Sequence, residues 1–375
     1  MKANLRQLAI FSLAFAGPLS LSIADPAQPA TDQALAEELG SLRNAQVAIE
    51  QTSPKKELTY FAGSLSEEEK EVLAKVAPNL RIVSGLGKEE ALARAEEAHG
   101  VDARFANPEF LTKATNLRWV QVQSAGVDRY LSIEPLMKND DIVLSNFRGV
   151  HGPAIADHAM AMLLSLTRNI KHYTARQEEE QWRRGQTPNK SIALEGKTML
   201  VVGLGGIGSE IAQRANGFGM RVIGTRRSDS PSPDYIKQVG KPKDLLAMLP
   251  QADVVALAVP LTPETENLLN SEAFAAMKDG TYLINIARGK IVNTNAMLEA
   301  LKSGKLAGAC LDVTDPEPLT KGHPLWKETN VIITPHIAGQ SEVTNERRSA
   351  LTVENLRRFA AGEPLLNVVD KVAGY

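Results

Sequence analysis

The sequence predicts an α/β protein with two domains, each built on a doubly wound parallel sheet. Short apolar runs of strand length alternate with segments of helical spacing along most of the chain, which is the pattern of parallel sheets covered by helices. A chain of 375 residues is long enough for two domains that each bury a core. The third observation is a glycine-rich turn between a strand and a helix near the middle of the chain.

This turn has the form of a dinucleotide-binding loop. It reads Gly203-Leu204-Gly205-Gly206-Ile207-Gly208, follows an apolar run at 198–202, and opens a helix that Gly217 and Gly219 end. Gly203 permits the tight turn, Gly205 lets a pyrophosphate approach the backbone, and Gly208 lets the helix pack close to the sheet. Free N–H groups at the start of the helix can bind the phosphates. The alternative is a strand–helix turn without a ligand.

The end of the next strand, 220–224, indicates which coenzyme binds. An NAD site usually has an acidic residue there, but this chain has Thr225, Arg226, Arg227 and Ser228. Two guanidinium groups can hold a 2′-phosphate through charge-assisted hydrogen bonds. We therefore predict NADP, with NAD as the second choice. The alternative is that both arginines are solvated surface charges.

Composition excludes several classes of partner. The net charge of −2 gives no reason to expect nucleic acid or an anionic membrane as a partner. Cys310 is the only cysteine, so an intrachain disulfide or a cysteine-rich metal site is excluded, and we predict no metal.

The N-terminus resembles a secretory signal peptide. Lys2 and Arg6 precede an apolar run at 8–23, and small residues near Ala24 suit cleavage. We predict a signal peptide at 1–24, with export to the periplasm, and no membrane span in the mature protein. The alternative is a cytoplasmic protein, because a nicotinamide enzyme needs a reduced coenzyme pool.

The first half of the chain contains the elements of one α/β domain and a connector. Strands are predicted at 58–62, 80–84, 117–123 and 141–145, and helices at 31–50, from the capping box at Ser66 to Pro78, and at 88–98. Residues 153–168 are apolar on most positions, which predicts a buried connecting helix. The charged stretch 176–184 is expected to be a solvated helix face with Trp182 as its one large apolar anchor.

Four further strands follow the glycine turn, and chemically useful side chains stand at their ends. The strands are predicted at 253–259, 281–286, 307–313 and 331–334. Ligands lie beyond the carboxyl ends of parallel strands, and there the sequence has Arg288, then Asp312, Asp315 and Glu317, and finally His336.

These residue types suit hydride transfer to a 2-keto acid. Arg288 can hold a carboxylate through two parallel N–H bonds, and His336 can give a proton to the carbonyl oxygen near neutral pH. A carboxylate at the far ring nitrogen would keep the histidine protonated and fix its tautomer. Asp312, Asp315 and Glu317 all remain candidates for that role.

Each of these residues could also have a purely structural role. A single arginine after a strand is usually an ion-pair partner, and a single histidine after Thr-Pro usually caps or packs. Joint placement at the ends of strands in one sheet favours the functional interpretation. The other histidines lack that placement: we interpret His151, His158, His172 and His323 as structural, and expect His99 to be exposed.

The motifs together resemble the D-isomer-specific 2-hydroxyacid dehydrogenases. The matching segments run in the family's order from about residue 58, and they are 124–128 (SAGVD), 146–149 (NFRG), the glycine turn, 260–265 (PLTPET), 285–289 (NIARG), 311–313 with 317–318 (LDV and EP), and 334–339 (TPHIAG).

The resemblance implies the site residues. Arg288, Glu317 and His336 correspond to the catalytic residues, and the backbone N–H groups of Ala125 and Gly126 would bind the substrate carboxylate together with Arg288. The coenzyme-binding residues implied are Gly203, Gly205, Gly206, Ile207, Gly208, Thr225, Arg226, Arg227, Val259, Pro260, Thr265, Ala287, Arg288, Asp312, His336 and Gly339.

The resemblance also implies a discontinuous fold. A Rossmann coenzyme domain at 151–340 would be inserted into a flavodoxin-like substrate domain at 25–150 plus 341–375, and a last helix at about 341–361 would cross back to the substrate domain. Such enzymes are usually homodimers joined through the coenzyme domain.

The basic end of the strand after the glycine turn is similar to that of NADP-using glyoxylate and hydroxypyruvate reductases. We therefore predict an oxidoreductase that reduces a small 2-keto acid to the D-2-hydroxy acid with NADPH. One alternative is formate or phosphite oxidation on the same scaffold. The other is a nucleotide-sensing protein like the corepressors that share this fold, although the complete arginine, glutamate and histidine set argues against it.

Overall fold

The computed structural model describes residues 57–187 and 190–375, and it contains two all-parallel sheets. The predicted signal peptide and the predicted helix at 31–50 lie outside the described residues. The strands are β1 Leu58–Phe61, β2 Leu80–Val83, β3 Gly100–Asp102, β4 Trp119–Gln121, β5 Val143–Ser145, β6 Thr198–Val202, β7 Arg221–Thr225, β8 Ile236–Gly240, β9 Val254–Leu257, β10 Thr281–Asn285, β11 Leu306–Leu311 and β12 Val331–Ile333.

The helices fill the connections between these strands. They are α1 Glu67–Val76, α2 Lys88–Ala93, α3 Pro108–Lys113, α4 Asp128–Leu131, α5 Glu134–Lys138, α6 Gly152–Thr167, α7 Ile170–Glu178, α8 Gly206–Gly217, α9 Leu245–Met248, α10 Ser271–Ala276, α11 Thr294–Lys302 and α12 Glu342–Ala361. Short 3₁₀ turns occur at Ala95–Glu97, Pro242–Asp244, Leu249–Gln251, Gly289–Ile291 and Pro324–Lys327. No helix within the described part of the chain has the length and apolarity needed to cross a membrane.

The first sheet has the strand order β2-β1-β3-β4-β5, which is the flavodoxin-like order and confirms the predicted class. Its central strand β3 was not predicted, because three residues are too few to show a pattern. Gly100 in this strand is needed for packing: a Cβ there would stand 2.8 Å from the Tyr60 ring.

The last helix, α12, returns to this first sheet. Phe359 on α12 packs against Trp119 of β4 with ring centroids 5.1 Å apart, and Trp119 in turn contacts Tyr60 of β1. Val368, beyond α12, forms an antiparallel bridge with Ser145 of β5. The chain therefore leaves the first sheet after β5 and comes back to it after β12, as the predicted insertion requires.

The second sheet has the order β12-β11-β10-β9-β6-β7-β8 and is packed on both faces. The order reverses between β6 and β9, which makes the end of β6 the switch point where ligands bind in doubly wound sheets. Edge strand β8 was not predicted, because its residues are all at least partly exposed and carry no apolar run.

Two local predictions are wrong. The helix expected to include 176–184 ends at Glu178, and Trp182 is 94 % exposed, so it does not anchor this segment to its own chain. His99 is partly buried rather than exposed, because its Nδ1 accepts a hydrogen bond from the Thr59 N–H at 3.2 Å.

Candidate active site

Three predicted side chains follow the ends of three adjacent strands. Asn285 of β10 is in register with Leu311 of β11, and Leu311 with Ile333 of β12. Arg288, Glu317 and His336 follow those positions by three, six and three residues. The parallel pairing therefore places all three at the carboxyl edge of one sheet.

His336 and Glu317 form a direct contact at this edge. His336 Nδ1 lies 2.7 Å from Glu317 Oε1, and both side chains are nearly half exposed. Of the three carboxylates that the residues alone left open, Glu317 is the one with this contact. Because Nδ1 is engaged, Nε2 is the ring nitrogen left for a ligand.

Asp312 holds the loop that carries His336. Its buried carboxylate accepts hydrogen bonds from the N–H groups of Ile337 at 2.9 Å and Ala338 at 3.0 Å, and from the Thr334 hydroxyl at 2.7 Å. His158 Nε2 lies 2.9 Å from the same hydroxyl. His158 therefore supports this loop, a contact that its position in the connecting helix α6 did not indicate.

Arg288 reaches from the second sheet to the loop after β4. Its Nε and Nη2 each lie 3.0 Å from Asp128 Oδ1. The guanidinium lies directly on Gly126, because a Cβ at Gly126 would be 1.8 Å from Nη2. Sequence analysis included Asp128 in a motif but gave it no role, since nothing in the sequence connects it with a residue 160 positions away.

The backbone beneath Arg288 is built to bind an anion. Asn146 Nδ2 donates to the Ala125 carbonyl at 2.8 Å, and the Ser124 hydroxyl donates to the Gly126 carbonyl at 2.7 Å. The N–H groups of Ala125 and Gly126 donate to no other group in the described residues. Two N–H groups without a partner among the described residues therefore lie on the loop that the guanidinium contacts, and such donors can bind a carboxylate.

The glycine turn leaves room for a coenzyme. Gly203 has φ +100°, and a Cβ there would stand 2.7 Å from Val259; a Cβ at Gly208 would stand 2.0 Å from the Gly203 carbonyl oxygen. At Gly205 the one atom of the described part of the chain within 4 Å of an added Cβ, apart from its neighbours along the chain, is Arg148 Nη2, at 3.8 Å. Gly206 begins α8, so the turn fits a pyrophosphate that approaches the backbone at a helix N-terminus.

The end of β7 presents positive charge beside this turn. Thr225 is buried, and its carbonyl accepts the N–H groups of Gly203 and Leu204 at 3.1 and 2.8 Å. Arg226 donates to the Pro231 carbonyl at 3.2 Å, and the Arg227 guanidinium lies 3.9 Å from the centre of the Tyr375 ring. Both guanidinium groups therefore follow the end of the strand that comes after the glycine turn.

The remaining predicted coenzyme residues surround the same edge. The Thr265 hydroxyl donates to the Pro260 carbonyl at 2.7 Å and shapes the turn after β9. A Cβ at Gly339 would be 3.1 Å from His151, so this residue lies against the start of α6. Ala287 is buried, while Ile207 and Val259 are partly exposed.

A dinucleotide turn, a paired histidine and an arginine over free N–H groups define a nicotinamide-dependent oxidoreductase of hydroxy acids. A family profile described as "D-isomer specific 2-hydroxyacid dehydrogenase, NAD binding domain" matches residues 160–338. A glyoxylate reductase of Thermococcus litoralis is 35 % identical over 269 residues, covering 70 % of this chain and 80 % of that protein. The chain belongs to the D-isomer-specific 2-hydroxyacid dehydrogenases, which are NAD(P)-dependent enzymes.

Relatives within the family differ in substrate. A D-3-phosphoglycerate dehydrogenase of Methanocaldococcus jannaschii is 32 % identical over 312 residues, covering 82 % of this chain and 58 % of that protein. Among solved structures, an NADPH-dependent glyoxylate/hydroxypyruvate reductase of Sinorhizobium meliloti in complex with NADP and sulfate is 27 % identical with a TM-score of 0.70. That similarity covers 85 % of this chain and 100 % of the solved one.

Proposed function

We propose that this enzyme reduces a small 2-keto acid of the glyoxylate or hydroxypyruvate type to the D-2-hydroxy acid with NADPH. The observation that carries the proposal is the 2.7 Å contact between His336 Nδ1 and Glu317, at the sheet edge that also bears Arg288. A paired histidine and a separate carboxylate receptor are the parts that keto-acid reduction requires.

Arg288 and the loop after β4 bind the substrate carboxylate. The guanidinium provides charge, and the N–H groups of Ala125 and Gly126 provide two further donors. Because the Asn146 amide and the Ser124 hydroxyl hold this loop through hydrogen bonds, the donors fix the carbonyl carbon of the substrate as well as its carboxylate.

His336 gives its Nε2 proton to the carbonyl oxygen. Glu317 accepts a hydrogen bond from the Nδ1–H, and it thereby selects the tautomer and stabilises the protonated ring. Asp312 holds the loop on which the histidine stands. A bound reduced nicotinamide supplies the hydride.

Preference for NADPH is supported by Arg226 and Arg227 at the end of β7. The nearest carboxylate in sequence, Asp229, is paired with Lys241 and comes four residues after Thr225, where β7 ends, rather than directly at the strand end. The NADP complex of the Sinorhizobium reductase, a relative of the same fold, gives the same indication.

The test is a substrate panel with purified enzyme and NADPH or NADH in parallel. Glyoxylate and hydroxypyruvate should be reduced, with a higher kcat/KM for NADPH. 3-Phosphohydroxypyruvate tests for the activity that the D-3-phosphoglycerate dehydrogenase relatives are named for. Formate and phosphite, each with NADP⁺, test for the alternative oxidations on the same scaffold. Coenzyme binding without turnover of any substrate would favour a nucleotide-sensing protein and contradict the proposal.

A homodimer is part of the proposal. Ile170 and Tyr173 on α7 are 50 % and 39 % exposed, and Trp182 just beyond this helix is 94 % exposed, which suits a surface covered by a second copy. Light scattering after gel filtration should give twice the chain mass, and Trp182→Ala should shift the equilibrium toward monomer. A monomeric wild-type protein contradicts this part.

Export is also proposed, on the basis of the signal-like residues 1–24. Fusion of this segment to a reporter that is active only after export tests it. Activity with the native segment, and none after Leu8→Arg, is the expected result. A full-length chain that keeps its N-terminus in the cytoplasm contradicts export and favours the cytoplasmic alternative.

A further inference from the structure

Arg148 places a guanidinium on the glycine turn from the opposite side of the cleft. The residue follows β5 of the first sheet, yet its Nη2 lies 3.8 Å from the position of a Cβ on Gly205. Among the described residues, no other side chain comes within 4 Å of that position. The open face of the turn, where a pyrophosphate would approach, is therefore covered by this one cation.

The backbone of Arg148 is fixed from both sides. Its N–H donates to Asn146 Oδ1 at 3.2 Å, and its carbonyl accepts from Asn367 Nδ2 at 3.0 Å. The next residue, Gly149, packs on the turn itself, with its Cα 3.7 Å from the position of a Cβ on Gly206. The position over the turn is thus set by the fold, and only the side chain can adjust to a ligand.

The charge of Arg148 is not balanced by a carboxylate within residues 57–187 and 190–375. By contrast, Arg288 is paired with Asp128, and Arg214 on α8 is paired with Asp157 and Glu210. Burial lowers the pKa of Arg148, and nearby Tyr375 offsets this only in part. A partly buried cation without a carboxylate partner is costly, and an anionic ligand removes that cost.

We propose that Arg148 binds the coenzyme pyrophosphate and holds it against the N-terminus of α8. The proposal rests on the coenzyme site at the glycine turn that the proposed function uses, and it is independent of the keto acid. Pyrophosphate is common to NADH and NADPH, whereas the 2′-phosphate assigned to Arg226 and Arg227 is present only in NADPH. Arg148 therefore contributes affinity without choosing between the coenzymes, and it ties the two halves of the enzyme together when coenzyme is bound.

The experiment measures dissociation constants of the full chain by fluorescence titration with NADPH, NADH and ADP-ribose, the last of which has the pyrophosphate but no nicotinamide. Arg148→Gln should weaken all three by a similar factor, about tenfold or more, as expected for loss of a hydrogen bond to a charged group. Arg148→Lys should restore part of the affinity. Arg227→Gln should weaken NADPH alone, and Arg81→Gln, which removes a surface charge paired with Glu97, is the matched control.

Several results would overturn the proposal. Unchanged affinity of Arg148→Gln for all three ligands is one, and loss confined to NADPH is another, since it would assign Arg148 to the 2′-phosphate. Weaker binding of NADH and NADPH with unchanged binding of ADP-ribose would place the contact of Arg148 at the nicotinamide end of the coenzyme. If Arg148→Gln has a melting temperature well below that of the wild-type apoprotein, Arg148→Lys becomes the deciding variant. Its affinity for NADPH, NADH and ADP-ribose must then be lower than that of Arg81→Gln, and equal affinity would overturn the proposal. The test of Arg148 measures coenzyme binding and needs no substrate. An enzyme that reduces none of the keto acids would therefore contradict the proposed function without contradicting the role of Arg148.

Discussion

The Asp128 carboxylate holds the Arg288 guanidinium across the cleft, with Oδ1 3.0 Å from both Nε and Nη2. Asp128 is the first residue of α4, which follows β4 of the first sheet, and Arg288 follows β10 of the second sheet. The contact therefore fixes the guanidinium above the N–H groups of Ala125 and Gly126, and it ties substrate binding to the relative position of the two halves.

Asp128→Ala should raise the KM for the keto acid about tenfold and lower kcat much less, because a charge-assisted bond worth roughly 1.5–3 kcal/mol no longer orients Arg288. Asp128→Asn keeps one acceptor oxygen, so its KM should lie between those of Asp128→Ala and the wild type. Steady-state kinetics at saturating NADPH measures both. Asp140→Asn, an exposed aspartate of the same half, is the control, and equal KM values for Asp128→Ala and this control would refute the orienting role.

His336→Gln should lower kcat by about 10² to 10⁴, the usual range for loss of a general acid. The dissociation constant for NADPH should stay near the wild-type value, because the pyrophosphate and ribose contacts lie at β6 and β7. Single-turnover kinetics with direct coenzyme titration separates the two effects. His172→Gln on α7 serves as the control, and near-native turnover of His336→Gln would show that another group donates the proton.

The strand ends and the glycine turn were predictable because they depend on local patterns. Buried strands such as β6, β9 and β10 are largely apolar runs, and the turn has four glycines, of which Gly203 and Gly208 are required by close packing. Parallel pairing then places whatever follows each strand at one edge, so the neighbourhood of Arg288, Glu317 and His336 follows from topology.

The missed features depend on contacts far apart in sequence or on very short elements. β3 has three residues and its existence depends on neighbours β1 and β4. The roles of Asp128 and Arg148 depend on how two separately folded sheets face each other, which no periodicity encodes. The residues alone also could not choose Glu317 over Asp312, because the choice depends on the path of the loop between them.

Gly205→Ala and Gly208→Ala should separate binding from stability. An added Cβ at Gly205 meets only the mobile end of Arg148, at 3.8 Å, so the variant should fold like the wild type. It should nevertheless bind NADPH and NADH more weakly, because the methyl group occupies the approach of the pyrophosphate. A Cβ at Gly208 would stand 2.0 Å from the backbone oxygen of Gly203, so this variant should lose about 1–3 kcal/mol of unfolding free energy.

Urea unfolding and coenzyme titration measure the two quantities on each variant. Gly217→Ala, at the end of the same helix where no described atom lies within 4 Å of an added Cβ, controls for adding a methyl group to a glycine of α8. Tight coenzyme binding by Gly205→Ala would contradict the close approach at that residue. Wild-type stability of Gly208→Ala would contradict the packing of α8 on the turn.

His151 at the start of α6 should make the fold sensitive to acid. Burial, assisted by the nearby Arg348, lowers its pKa from 6.5 to about 4, and its Nδ1 has no hydrogen-bond partner in the described structure. Between these values the unfolded chain binds a proton that the folded chain does not, so the free energy of unfolding falls as pH falls. From pH 7 to pH 5 this contribution is about 2 kcal/mol.

The comparison that isolates this effect is His151→Gln against His172→Gln, with urea unfolding at pH 7 and pH 5. His151→Gln removes the titrating group, so its stability should fall less between the two pH values than that of the wild type, by about 2 kcal/mol. His172→Gln should keep the wild-type slope, because His172 is a partly exposed residue of α7. Identical slopes for all three proteins would mean that His151 accepts its proton in the folded state as readily as in the unfolded chain, and that its burial between Arg348 and Gly339 costs the charged ring nothing.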